Sequence, residues 1–223
     1  METLIPLAQK LYLLGIHPEK GGIVYQSGTA MDYVIVGGLL MEMYLNKNIK
    51  FDNKRIVLLS DKSDNDAHRF MLQKMSKAKG PRRISSWINK FYYSLNYIRG
   101  EVRDGLVSKR LIKIEDKRFL IFKWKKPFAT NKQVLYKLVD EVKESIMRGT
   151  SDEESLILLS FVLPAGLLPR LFPDRQERKK ARARLKEMLV GNRVSAAVAD
   201  AISASQAVAA SVAISAAAAS TSA

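Results

Sequence analysis

His17 and His68 are the only two imidazoles in a chain of 223 residues, and they stand far apart in sequence. There is no cysteine. Disulfides, thiolate metal sites and cysteine nucleophiles are therefore excluded. No HExxH, GxSxG or Walker-type GxxxxGK(S/T) motif occurs. The glycines of "GGIVYQSGT" do not match a phosphate loop, and no strand clearly leads into them. Asp61, Asp64 and Asp66 resemble a cation cluster but lack the register and glycine of an EF-hand loop. They read instead as loop solvation and as negative charge favouring the next helix N-terminus. His68 reads as an ordinary helical histidine. The expectation is a protein that is not an enzyme, with no cofactor and no metal site.

The residue types in excess are cations. Residues 61–150 hold 22 basic and ten acidic side chains, so they supply +12 of the chain's net charge of +15. Charge concentrated in this way points to an anionic partner: nucleic acid, an acidic protein or an anionic membrane. Lys79, Arg82 and Arg83 cluster before one predicted helix. Arg99 and Arg103 stand four apart on the next, one helical turn from each other. Lys117 and Arg118 precede Phe119, Phe122 and Trp124. Cations beside aromatics suit a membrane interface, the first for lipid phosphates and the second for the headgroup level.

The elements that must position these residues are mostly helices. "TLIPLAQKLYLLG" sets Leu4, Leu7, Leu11 and Leu14 at helical spacing. A Gly- and Pro-rich loop follows. "AMDYVIVGGLLMEMYLNKN" then reads as a buried helix in which Gly37-Gly38 permits close packing. Two eleven-residue stretches share one phrase, "IKFDNKRIVLL" at 49–59 and "IKIEDKRFLIF" at 112–122. Each predicts a hairpin with a four-residue polar turn, Asp52–Arg55 and Glu115–Arg118 respectively, following a helix. That order is winged-helix-like. Between the copies lie an amphipathic helix and one or two more. After them come a helix closing at Gly149, a helix capped by Ser151 with Glu154, and a charged helix ending near Gly191. The fold class is mainly α: a single-domain helical bundle over 1–223 with short β-hairpins. The Ala/Ser-rich end, 191–223, reads as a helix packed on the bundle. The N-terminus has no signal-peptide character and no segment reads as a membrane span, which fits a cytoplasmic protein.

"GLLMEMYLNKNIKFD", "GPRRISSWINKF", "GLVSKRLIKIEDKRFLIFKWKKP", "LILLSFVLPAGLLPRLFP…RKKARARLKEML" and the Ala-rich end together resemble the Golgi phosphoprotein 3 family, in its order and over nearly the whole chain. The resemblance implies a mainly helical fold with a protruding hairpin. Eukaryotic members are peripheral membrane proteins that bind phosphatidylinositol 4-phosphate and tether glycosyltransferases. Their hairpin serves self-association and membrane contact. The family's lipid pocket uses a Trp and three Arg. One Arg position falls on Arg99, while the others fall on Asn96 and Val36, and the Trp falls near Ser27. These departures, with no long polar N-terminal extension, resemble a prokaryotic member.

The expected function is a peripheral membrane protein that binds anionic, phosphoinositide-type headgroups and acts as a non-enzymatic adaptor. Arg99, Arg103, Lys79, Arg82 and Arg83 form the headgroup set. Lys117 and Arg118 in the turn, with Phe119, Phe122 and Trp124 on the returning strand, form the membrane or self-association hairpin. The expected partners are anionic lipid, a membrane-protein client and a second copy of the chain. The alternative is a winged-helix-type nucleic-acid-binding protein, and a third reading is a scaffold whose basic face binds an acidic protein. The aromatic-rich helix "WINKFYYSLNYIRGEV" weighs against DNA, because a recognition helix needs an exposed face of base-reading side chains.

Overall fold

The computed structural model describes residues 4–24 and 27–190, the side chains of Phe119 and Phe122 excepted. The expected packed helix at 191–223 lies outside the described residues. In chain order the elements are α1 (Leu7–Gly15), α2 (Gly28–Leu45), β1 (Ile49–Asp52), β2 (Arg55–Leu58), α3 (Asp66–Ser76), β3 (Arg82–Arg83), α4 (Ile84–Tyr92), α5 (Leu95–Ser108), β4 (Ile112–Phe119), β5 (Phe122–Ala129), α6 (Lys132–Arg148), α7 (Glu153–Ser160), α8 (Leu168–Leu171) and α9 (Arg175–Leu189). Among the described residues the architecture is mainly helical with two small antiparallel sheets, ordered β1-β2-β3 and β4-β5.

α2 is the central element, with twelve of its eighteen residues buried. α1 lies along it where Gly38 leaves room. A Cβ at Gly38 would come within 3.0 Å of Leu11 Cδ1 and 3.3 Å of the Ala8 Cα. α1 itself begins at Leu7, and Leu4 is exposed, so the helix is one turn shorter than the leucine spacing predicts. Pro6 before it offers no side-chain cap. α2 supplies one from across the interface: the Ala8 N–H donates to Glu42 Oε1 at 2.7 Å. The other carboxylate oxygen, Oε2, lies 2.7 Å from His68 Nε2 on α3. Both side chains are buried. His68 is thus a structural partner in a network joining three helices, more specific than the ordinary helical histidine expected.

The other caps use short polar side chains. Asn65 accepts from His68 N–H at the start of α3, and Asn131 from Val134 N–H at the start of α6. At α7 the cap is Asp152, accepting from Ser155 N–H at 2.8 Å, one residue beyond the expected Ser151. Gly149 closes α6 at φ +89° as expected. Asp66 sits in the first turn of α3 and pairs with Arg69. Among the described residues no helix is long and apolar enough to cross a membrane.

The two copies of the repeated phrase fold differently. In the first, Asn53 and Lys54 form a two-residue turn with φ of +43° and +63°, as a type I′ hairpin requires. Asp52 and Arg55, expected in the turn, pair as the last strand residues. In the second, Glu115–Arg118 is not a turn at all. It lies inside β4, and the chain reverses at Leu120–Ile121. The sequence beyond each copy explains the difference. "SDKSDND" follows the first and has no strand-forming partner to offer, whereas "KWKKPFA" follows the second and pairs residue for residue with β4. That register sets Glu115 opposite Lys126 and Asp116 opposite Lys125, favourable cross-strand pairs.

Removing the Glu42 carboxylate leaves the Ala8 N–H and His68 without their partner. Glu42→Ala should therefore cost about 2 kcal/mol or more, since each buried group left without a partner costs ~1–3. Denaturant unfolding checks this, and a loss well below that value would show that the network does not hold α1, α2 and α3 together.

Candidate functional site

The β4–β5 hairpin has strands eight residues long, about 25 Å from root to turn. Its root is apolar, with Ile112 buried and Ile114 packed on the core. Its end is also apolar, but open to solvent. Leu120 is 72% exposed, Ile121 84% and Trp124 48%. Lys117, Arg118 and Phe119 lie on the outgoing strand, while Phe122 and Trp124 lie on the return. This corrects the expected placement, which put Lys117 and Arg118 in the turn and Phe119 on the returning strand. Residues 112–129 hold six cations and two acids, so the stem is positive and the tip is not. No ordinary helix or strand needs an exposed Leu-Ile pair at a turn, and Leu120 adopts φ +54°, a conformation bulky residues avoid.

Phe128, near the hairpin root, carries a collar of ammonium groups. Lys113, Lys117 and Lys126 place their Nζ atoms 5.4–5.6 Å from the ring centroid. Glu115 bridges Lys113 and Lys117, at 2.7 Å from each. Hydrogen bonds from the two lysines hold its carboxyl at about 2, so it stays ionised and offsets them at any physiological pH.

A loop from Ile16 to Val24 props the hairpin. Gly22 N–H donates to Pro127 O at 2.7 Å. Pro127 sits opposite Ile114 at a position whose N and C=O face away from β4, judged from the alternation that follows a two-residue turn. Its missing N–H therefore costs nothing, and its carbonyl is free to accept. Glu19 reaches α6 through Lys132 Nζ at 2.6 Å and Tyr136 Oη at 3.1 Å. Those contacts draw its carboxyl below the usual range. Arg170 on α8 donates to the Ile16 carbonyl. Sequence reasoning identified only a loop here. The signal was the Gly21-Gly22 pair, both at positive φ, with Gly21 facing the Phe128 ring.

The predicted headgroup residues are not brought together. Arg82 and Arg83 form β3 at the start of α4, with Lys79 just before them. Arg82 lies over the Trp87 ring at 5.6 Å. Arg99 belongs to the other end of that helix, where Tyr92 stacks on Tyr33 beside Asp32. The intervening α4 is nine residues, about 13 Å. Arg99 Nη1 donates to Asp32 Oδ1 at 3.1 Å, and Nη2 to Asn96 Oδ1 at 3.3 Å. Arg103 Nε donates to the Tyr12 hydroxyl at 2.7 Å. Burial raises the Asp32 carboxyl, against the pull of Arg99 and Arg103. Burial likewise raises the Tyr12 hydroxyl. Both arginines therefore already have protein partners. Val36 is fully buried in the core and cannot present a headgroup contact. Ser27 is also buried.

The family model described as Golgi phosphoprotein 3 (GPP34) matches residues 7–205, most of the chain. Comparison with curated proteins finds no match.

The prop can be tested directly. Gly21→Ala places a Cβ within 2.4 Å of the Phe128 ring at φ +64°, where an L side chain is strained. Hydrogen exchange should quicken across β4 and β5 while α1 and α2 keep their protection. Unchanged exchange in the hairpin would show that the loop does not support it.

Proposed function

The chain belongs to the Golgi phosphoprotein 3 family, and on that premise we propose that it is a peripheral, anionic-membrane-binding adaptor without catalytic activity. The observation that carries this is the exposed Leu120–Ile121 tip on a basic stem. An apolar turn with Trp124 behind it suits the acyl–headgroup boundary, and the lysines of the stem suit lipid phosphates. The same tip offers a surface for a second copy of the chain or a membrane-protein client. The nucleic-acid reading has less to stand on. A winged helix would read DNA with the exposed face of α5, but that face offers Asn96, Tyr97, Asp104, Val107 and Ser108, with no free cation among them. Its Arg99 and Arg103 hold Asp32 and Tyr12.

Leu120→Ser with Ile121→Ser tests the tip. A buried Leu or Ile side chain is worth about 1.5–3 kcal/mol, so losing both should weaken liposome flotation at least roughly tenfold. The melting temperature should hardly move, because neither residue is in the core. Undiminished flotation would remove the tip from membrane contact. A steep fall in melting temperature would place these side chains in the protein's own packing.

Lipid choice follows from the state of Arg99. With Asp32 on Arg99 and Asn96 and Val36 at pocket positions, we propose binding that tracks surface charge over headgroup identity. Asp32→Asn releases Arg99 and should raise affinity for phosphatidylinositol 4-phosphate vesicles several-fold over charge-matched phosphatidylserine vesicles. A parent protein that already prefers the phosphoinositide by about tenfold at matched charge, ~1.4 kcal/mol, would overturn this proposal.

A further inference from the structure

The first hairpin carries a second basic face with few acids to offset it. Lys50, Lys54, Arg55, Lys77, Lys79 and Arg83 are all exposed. Among the described residues none of the six takes part in an ion pair. Elsewhere the acids are spent on lysines and arginines: Glu154 on Lys10, Glu19 on Lys132, Glu115 on Lys113 and Lys117. β3 joins two stretches of sequence into one face. Arg83 lies directly opposite Arg55, Ile84 N–H donates to Lys54 O at 2.9 Å, and Arg55 Nη1 donates to Pro81 O at 3.3 Å. Like charges directly opposite weaken a sheet, and Asp52 is the one acid in that cross-strand row.

This face and the β4–β5 hairpin lie toward opposite ends of α2. The loop that props β4–β5 precedes the N-terminus of α2, and β1 follows its C-terminus by four residues. α2 has 18 residues, about 27 Å of helix. The two hairpins also end differently. One turns on Leu120–Ile121, the other on Asn53–Lys54. The first can enter a bilayer, whereas the second can only touch one.

We propose that the chain bridges two anionic bilayers, anchored in one by the β4–β5 tip and held to the other electrostatically by Lys54, Arg55, Lys79 and Arg83. This rests on the membrane reading of β4–β5. Because the second contact is purely ionic, it fails first as salt screens it.

The test uses the full chain with vesicles of phosphatidylcholine and phosphatidylserine. Flotation reads attachment and light scattering reads clustering. The variant is Lys54→Gln, Arg55→Gln, Lys79→Gln and Arg83→Gln; Arg82 is kept because it covers Trp87. The parent should float and cluster. The variant should float and melt like the parent but cluster at least roughly tenfold less. Raising salt on the parent, which needs no variant, should disperse clusters before it releases bound protein. A variant that clusters like the parent overturns the proposal and assigns clustering to self-association. So does a parent that floats without clustering. So does a variant that loses duplex DNA binding while clustering is intact, which gives the face to nucleic acid. A parent that does not float overturns the attachment reading, and bridging with it, a result distinct from the other three.

Discussion

One buried carboxylate sets the arrangement on which the rest depends. Glu42 stands in the last turn of α2, where its own helix dipole disfavours an anion. It is held there by two contacts outside its helix, the Ala8 N–H of α1 and the imidazole of His68 on α3. The first places the negative charge at the N-terminus of α1, where the dipole favours it. α1 has Pro6 before it and no acid in its first turn, so the cap must come from another element. Together with the close approach at Gly38, this fixes α1 antiparallel on α2. The end of α1 is then delivered to the start of α2, where the loop Ile16–Val24 meets the hairpin root.

The acids of this basic chain are placed where they decide which cations remain available. Asp32 occupies Arg99, Glu115 holds two stem lysines, and Glu19 ties the loop to α6. Each removes a cation from the pool that an anionic surface could recruit. Charge count alone therefore overstates the site at α5 and understates the face of the first hairpin, where Asp52 stands against six exposed cations. Two side chains four apart on a helix look like an anion clamp in sequence. Whether they are one depends on residues 67 and 91 positions away, Asp32 and Tyr12.

Local patterns were legible in the sequence, and long-range satisfaction was not. The buried character of α2, the close packing at Gly37-Gly38, the break at Gly149 and the helical runs of α3, α5 and α6 follow from periodicity and capping types. The cap of α7 moved by one residue because Asp152 caps as well as Ser151 would, and it accepts from the Ser155 N–H. Glu42 and His68 carried no local signal, being single polar residues in helices whose partners come from other elements. The Gly21-Gly22 prop was visible only as a loop, since its purpose depends on Phe128 more than a hundred residues later. The headgroup set was assembled from neighbours in sequence, and the fold distributes it over both ends of α4.

The repeated phrase shows why similar local chemistry need not give the same structure. A hairpin's register belongs to both strands, and a polar tetrad turns only if the residues beyond it cannot prolong the pairing. "SDKSDND" cannot, so the first copy reverses early, on Asn53 and Lys54. "KWKKPFA" can, so the second copy runs on until four apolar residues are all that is left at the end. The turn then falls on Leu120 and Ile121, with Leu120 in a conformation that its side chain does not favour locally. That turn goes with the length of the β4–β5 ladder, which sets Glu115 opposite Lys126 and Asp116 opposite Lys125 and tolerates Arg118 opposite Lys123. Those pairs keep the acids within the stem and leave the tip without charge. A polar end and an apolar end thus arise from one phrase, through the seven residues that happen to follow each copy.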